Sequence, residues 1–189
     1  VVILLNAYLL FIFVIICLFT DLSERKIYNP VVLGGTLAAL VINMLQLGVL
    51  DGFTYTAAGM FTGIFLLIMP FIAGGLGAGD VKMLGMIGAF VGYEMVVQVL
   101  LVSALVGGLY ALFAMVVERR LFRGMWKLFI GLIMFVLTRK TVYLYNMEDN
   151  RGDRAMIPYG AALSAGVIII YIMGSLNYNL PGFSLPAFF

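Results

Sequence analysis

Two aspartates occupy positions where this chain could do chemistry. Asp21 closes the first apolar run, and Asp80 follows the glycine-rich stretch "IAGGLGAGDVK" at the head of another. The 189 residues include no histidine and one cysteine, Cys17. Ser-His and Cys-His catalysis are therefore excluded. A disulfide within the chain is impossible, and a zinc site, which draws on several Cys, His or carboxylate ligands, is not expected. Catalysis falls to carboxylates, Lys, Tyr, Ser or backbone groups. Two aspartates that share a proton can hydrolyse a peptide bond without metal or covalent intermediate. Like charges at close range keep one carboxyl protonated. The ionised member takes a proton from water while its partner protonates the scissile carbonyl. An acid in the first turn of a helix leans toward the ionised form, which favours Asp80 as the water activator over a pair symmetric in role.

The elements that must position these residues are membrane helices. The chain is 64% hydrophobic and 11% charged, where a soluble domain carries about a quarter of its residues charged. That composition predicts an all-α polytopic membrane protein. A net charge of +2 and the lack of a basic tract of the right kind argue against nucleic acid as a partner. The first apolar run, residues 1–19, lacks a basic leader and a small-residue cleavage site, so it reads as a true span. The strip "DLSERKIYNP" follows, with Pro30 as the opener of a second span over 31–48. An outer turn is expected at Asp51 and Gly52, then a third span over 53–73. The fourth span, 81–91 or from Ala78, covers roughly half of the hydrocarbon thickness. Residues 95–117 make a fifth. Residues 128–138 are too short to cross comfortably and read as interfacial or re-entrant. Residues 145–154 form a polar loop, 157–173 a sixth span, and 174–189 a charge-free, loosely organised tail. The whole, 1–189, is expected to be one membrane-embedded domain.

With the N-terminus outside, all 11 Lys and Arg fall on the inner side, a strong positive-inside pattern. Asp21 and Asp80 then share the inner membrane face. Two readings stand for such a pair: solvated charges at span ends, or carboxylates that meet. Paired carboxylates also serve small transporters as proton or cation relays. A relay needs polar residues through the bilayer depth, and few lie between these spans. The glycines are not a P-loop, since Lys82 is followed by Met83. "DNRGDR" lacks the acid spacing of a calcium loop. Lys82 reads either as a snorkelling inner-face charge or as a partner for an aspartate or the loop. Arg25 and Asn29 read as loop-shaping, Glu24 as a solvated neighbour. Pro158-Tyr159-Gly160 reads as a helix opener or as a wall against the aspartate loops.

"GLGAGDVKMLGMIGAFVG" is similar to the G-x-G-D-x-K signature of the type IV prepilin peptidases and their archaellin-processing relatives. "DLSERKIYNPVV" resembles that family's first-aspartate motif, an Asp ending the first helix, a basic residue four positions on, then Ile-Pro-Asn. The matching residues are Asp21, Arg25, Ile27 and Asn29; Tyr28 replaces the proline. "IPYGAALSAG" is similar to a family pattern at the start of the last helix. The resemblance covers most of residues 1–173. It implies a membrane aspartic endopeptidase with Asp21 and Asp80 catalytic. Gly77, Gly79, Lys82, Arg25 and Asn29 are then the expected supporting or substrate-binding residues. The implied partner is a membrane-inserted pilin or archaellin precursor, cut between a short basic leader and its hydrophobic helix. Cleavage is expected at the cytoplasmic face of a bacterial or archaeal plasma membrane. Members that also methylate the product carry a cysteine-rich insert between the first two helices. Here only residues 21–30 separate those spans, so the resemblance implies a peptidase alone, with no metal and no cofactor. The presenilin-like Tyr-Asp motif is absent, since Thr20 precedes Asp21. Loss of the proline at position 28 is expected to loosen the strip. The short fourth helix implies water or a thinned bilayer beside Asp80.

Overall fold

The computed structural model describes residues 2–24, 26–117 and 159–175, all in helices apart from short connections. The elements are α1 (Val2–Glu24), α2 (Asn29–Leu47), α3 (Val49–Ile72), α4 (Ala78–Val117) and α5 (Tyr159–Ser175). Four of them are long and apolar enough to cross a membrane among the described residues. The protein is therefore an all-helical polytopic membrane protein. Residues 1–106 with 158–189 form one compact unit and residues 107–157 another. Every contact below lies within the first; of the second, residues 107–117 are described, as continuous helix. Arg25, the run 128–138, the loop 145–154 and the tail from residue 176 lie outside the described residues.

Each helix turns where its sequence compels it. Pro30 sits in the first turn of α2, where its missing N–H costs nothing. The turn between α2 and α3 is a single residue, Gly48, at φ +93°. This corrects the expected turn at Asp51 and Gly52, both of which lie in the first turns of α3. Gly52 serves packing instead: a Cβ there would stand 2.4 Å from the Asn43 carbonyl oxygen, so α3 can leave α2 only across a bare backbone. α3 ends in a Schellman motif. Gly74 adopts φ +75°, its N–H donates to the Phe71 carbonyl at 2.9 Å, and the Gly75 N–H to Pro70 at 3.0 Å.

α4 is broken at Gly92, where φ is +83° and ψ 175°. The break separates a first arm, residues 78–91, from a second, 93–117, close to the two spans expected there. A Cβ on Gly88 would lie 3.2 Å from the Val96 side chain. In one straight helix residues eight apart are about 12 Å apart along the axis, so the start of the second arm, at Val96, folds back on the first.

The first arm is the core. Residues 83–92 are buried on every side, with Met83, Leu84, Ile87 and Ala89 at 0% exposure. The glycines set how closely its neighbours approach. A Cβ at Gly59 of α3 would stand 2.0 Å from the Gly88 carbonyl oxygen, and one at Gly88 2.2 Å from that of Gly59. Backbone meets backbone, the small-residue packing on which membrane helices depend when apolar burial gains little over lipid. Outward, Leu33, Leu37, Val41 and Leu45 repeat every four residues along α2 and are all exposed, a lipid-facing stripe. At about 21 Å the first arm is short for a bilayer, and from residue 83 onward it is enclosed by protein.

Its end at Gly92 needs polar partners, because a helix that stops leaves its last carbonyls unpaired. Three other helices supply them. Asn43 of α2 donates to the Ala89 carbonyl at 2.9 Å, Asn6 of α1 to Phe90 at 3.4 Å, and Tyr55 of α3 to Val91 at 2.7 Å. Asn43 also donates to Thr56 Oγ1 at 2.9 Å and accepts from Asn6 at 3.3 Å. This collar makes a break inside an apolar bundle tolerable.

Candidate active site

Asp21 lies in the last turn of α1 and is 8% exposed. One turn back is the buried Cys17, whose carbonyl accepts a hydrogen bond from Thr20 Oγ1 at 3.0 Å. The strip that follows is held more firmly than the loss of its proline suggests. Tyr28 has φ −77° and ψ 128°, inside the range a proline ring imposes. Its hydroxyl donates to the Glu24 carboxylate, so Glu24 has a partner rather than being only a solvated neighbour. That bond pushes the Tyr28 hydroxyl above its ordinary range and keeps it a donor. The Tyr28 carbonyl accepts the Val31 and Val32 N–H groups at 3.1 and 3.3 Å, seating the start of α2.

Asp80 is the third residue of α4. Its Oδ2 accepts the Gly77 N–H at 3.1 Å, while its own N–H donates to the Gly77 carbonyl at 3.2 Å. The acid of the first turn thus reaches back to the residue that caps the helix, half of a capping box. A Cβ on Gly77 would crowd that oxygen at 3.2 Å, and one on Gly79 would lie 3.1 Å from Ile27 Cβ. The two glycines do different work: one leaves room for the Asp80 hydrogen bond, the other lets the loop lie against the strip 26–28. Lys82 Nζ donates to Asn29 Oδ1 at 2.9 Å. This contact, made with Asn29 and not with an aspartate, ties the start of α4 to the start of α2.

Both carboxylates line one cavity of about 430 Å³, together with Tyr28, Asn29, Gly77 and Gly79. They are near enough for the charge of Asp21 to act on Asp80. Asp80 is half-buried and open to that space.

The first turn of α5 packs against the Asp21 side chain. The Gly160 and Ala161 amides face the Asp21 carboxylate, yet Asp21 Oδ2 is buried and closes no hydrogen bond. Tyr159, next in the same turn, lies within reach of the Asp80 charge. Both readings of Pro158-Tyr159-Gly160 fit the described residues: α5 opens at Tyr159, and Gly160 lies against Asp21. Both aspartates consequently lie beside helix N-termini, so the helix-terminus argument does not single out Asp80. The signal for Gly160 was present in the sequence, a glycine in the first turn of an apolar helix, but its neighbour was not.

Residues 8–112 match the sequence model of the type IV leader peptidase family. No curated protein and no solved structure gives a significant match to the chain.

Proposed function

The chain belongs to the type IV leader peptidase family and is a membrane protease; from that premise we propose that Asp21 and Asp80 are its catalytic pair. Its substrate in this reading is a prepilin-like or archaellin-like precursor, cut between a short basic leader and its hydrophobic helix. The shared cavity carries the proposal: two carboxylates 59 positions apart in sequence line one space at the ends of α1 and α4.

One carboxylate is ionised and the other protonated. The ionised member takes a proton from water as the water oxygen bonds to the scissile carbonyl carbon, and the protonated member gives its proton to the carbonyl oxygen. In the collapse the carbon–nitrogen bond breaks. The nitrogen takes the proton that came from water, and a hydroxyl of the intermediate returns the other. The pair is restored and one water is consumed. Gly77 and Gly79 keep the cavity wall free of side chains, so an extended peptide can lie close to it. Asn29 and Lys82 support the two helix starts. Arg25 is assigned with them from the motif.

In this reading six crossings put the N-terminus outside and the site at the cytoplasmic face of the plasma membrane. The distribution of all 11 Lys and Arg supports that orientation. The positively charged leader then stays on the side where the charges lie. α1 and α2 are joined by residues 25–28 alone, which supports peptidase activity without a methylating insert. The proposal treats 1–189 as one peptidase domain, with 174–189 as its tail. A transporter reading fits less well, because fully buried Met83, Leu84 and Ile87 lie along the first arm between its collar and Asp80.

The test is processing of a co-expressed precursor by the wild type, Asp21→Asn and Asp80→Asn. Asn keeps the side-chain size and removes the titrating proton. Each variant is expected to lose at least about a hundredfold in rate. Normal processing by either one ends the dyad assignment.

A further inference from the structure

Gly160 has no conformational reason to be glycine. Positive φ values among the described glycines occur only at Gly48, Gly74 and Gly92, so any residue could adopt the helical backbone at position 160. Within a helix glycine is less favourable than alanine, by both backbone entropy and lost packing. What its absent side chain provides is space, and the occupant of that space is Asp21. A Cβ at position 160 would stand 2.6 Å from Asp21 Oδ2, 3.0 Å from Cγ and 3.3 Å from Cβ. The three nearest atoms all belong to the one side chain. That side chain is buried, and Oδ2 has no hydrogen-bond partner.

We propose that the first turn of α5 is a positioning element of the active site, in which Gly160 holds open the place of the Asp21 carboxylate. The inference rests on the dyad reading and extends the site past residue 112, where the family match ends. The backbone amides of Gly160 and Ala161 face the carboxylate from one side, as the unpaired N–H groups of a first helical turn are free to do. Ser164 Oγ donates to the Gly160 carbonyl at 2.8 Å and ties this turn to the next. Farther along, α5 is seated independently of Asp21. Its Tyr171 ring meets Phe11 of α1 edge-on at 4.9 Å. A Cβ on Gly166 would stand 2.0 Å from Ser103 Oγ in the second arm. With α5 fixed on both α1 and the second arm, a side chain at position 160 cannot be relieved by sliding the helix away. Asp21 must move instead, and Oδ2, the atom nearest the added methyl, moves most.

The experiment uses the full chain, purified in nanodiscs, with a precursor-like peptide as substrate. Gly160→Ala is expected to lower kcat by about tenfold or more, as a displacement of a reacting group near 1 Å does, while KM stays within about twofold. A second readout needs no activity. Thermal unfolding is compared for the wild type, Gly160→Ala, Asp21→Ala and the double variant. Asp21→Ala removes the two atoms nearest the added methyl. The expected result is therefore a sign reversal: Gly160→Ala lowers the melting temperature with Asp21 present and leaves it unchanged or raised in the Asp21→Ala background. Should Gly160→Ala alone fail to fold, recovery in the double variant supports the inference and persistent misfolding overturns it. Wild-type kcat in Gly160→Ala, with Asp21→Asn and Asp80→Asn inactive, overturns this inference and leaves the dyad standing. Wild-type activity in Asp21→Asn ends the dyad reading whatever Gly160→Ala does.

Discussion

Replacing Asn43 with leucine tests whether the collar holds the break in α4. Leucine has the same number of side-chain heavy atoms with the same branching and belongs in an apolar bundle, so shape and partition favour the variant. The loss is in hydrogen bonds. Asn43 donates at 2.9 Å to the Ala89 carbonyl and at 2.9 Å to Thr56, and accepts from Asn6 at 3.3 Å. Interhelical bonds of this kind average about 0.6 kcal/mol each in a membrane, with about 1.7 as the observed maximum. Three of them give about 2 kcal/mol, and the Ala89 carbonyl, left buried without its donor, adds about 1–3 kcal/mol. The expected destabilisation is therefore about 3–5 kcal/mol, or a melting temperature lower by about 6–20 °C for a chain of this size. Thermal unfolding in nanodiscs reads it, with Thr56→Val as the graded comparison. That variant takes away one acceptor and leaves the Asn43–Ala89 bond, so its expected loss is less than half as large. An Asn43→Leu protein as stable as the wild type would refute the argument: the break would then be held by packing, with the polar side chains incidental.

Gly88→Ala is expected to prevent folding or to cost more than about 3 kcal/mol, because its methyl would meet a carbonyl oxygen of α3 at 2.2 Å, with no flexible side chain to yield. Gly34→Ala is the matched control. Its methyl would lie 3.7 Å from the Phe13 ring, an ordinary contact, so stability is expected to be unchanged or slightly higher; equal damage at both sites, measured by yield of folded protein, would sink the close-approach argument. Tyr28→Pro is expected to keep processing activity within about threefold, since the backbone already has φ −77° there. Tyr28→Phe keeps that backbone and loses the bond to Glu24. A large rate loss in Tyr28→Pro with none in Tyr28→Phe would show that the strip needs some feature other than its φ angle.

The helices were largely legible because each boundary has a chemical cause visible in the sequence: Pro30, the glycine loop, and the polar residues around Gly92. The turn between α2 and α3 lies earlier than the Asp51-Gly52 pair suggests, because Gly48 bears the positive φ. Gly52 looks like a turn residue but is bare so that α3 can cross the α2 backbone. The short first arm was legible as a length, yet its all-round burial was not, since an arm enclosed by protein and one facing lipid carry the same apolar residues. The collar left no pattern either. Asn6, Asn43 and Tyr55 come from three helices and share no spacing. For the site, the two aspartates and their glycines could be read from motif and residue type. Tyr28 could not be read as a substitute for proline, because its φ angle and its bond to Glu24 are properties of the folded strip. Gly160 remained open for the same reason: a glycine shows that room is needed and not what fills it.

The collar also bears on how the protein is made. Asn6, Asn43 and Tyr55 all precede residues 89–91 in the chain. The donors for those carbonyls are therefore synthesised before the carbonyls themselves. A segment of about 21 Å that ends in unpaired carbonyls is a poor candidate for entering lipid alone. When it leaves the ribosome, α1, α2 and α3 already exist to receive it. The order of translation thus matches an order of assembly in which the least self-sufficient helix, the one that carries Asp80, arrives at a berth already built.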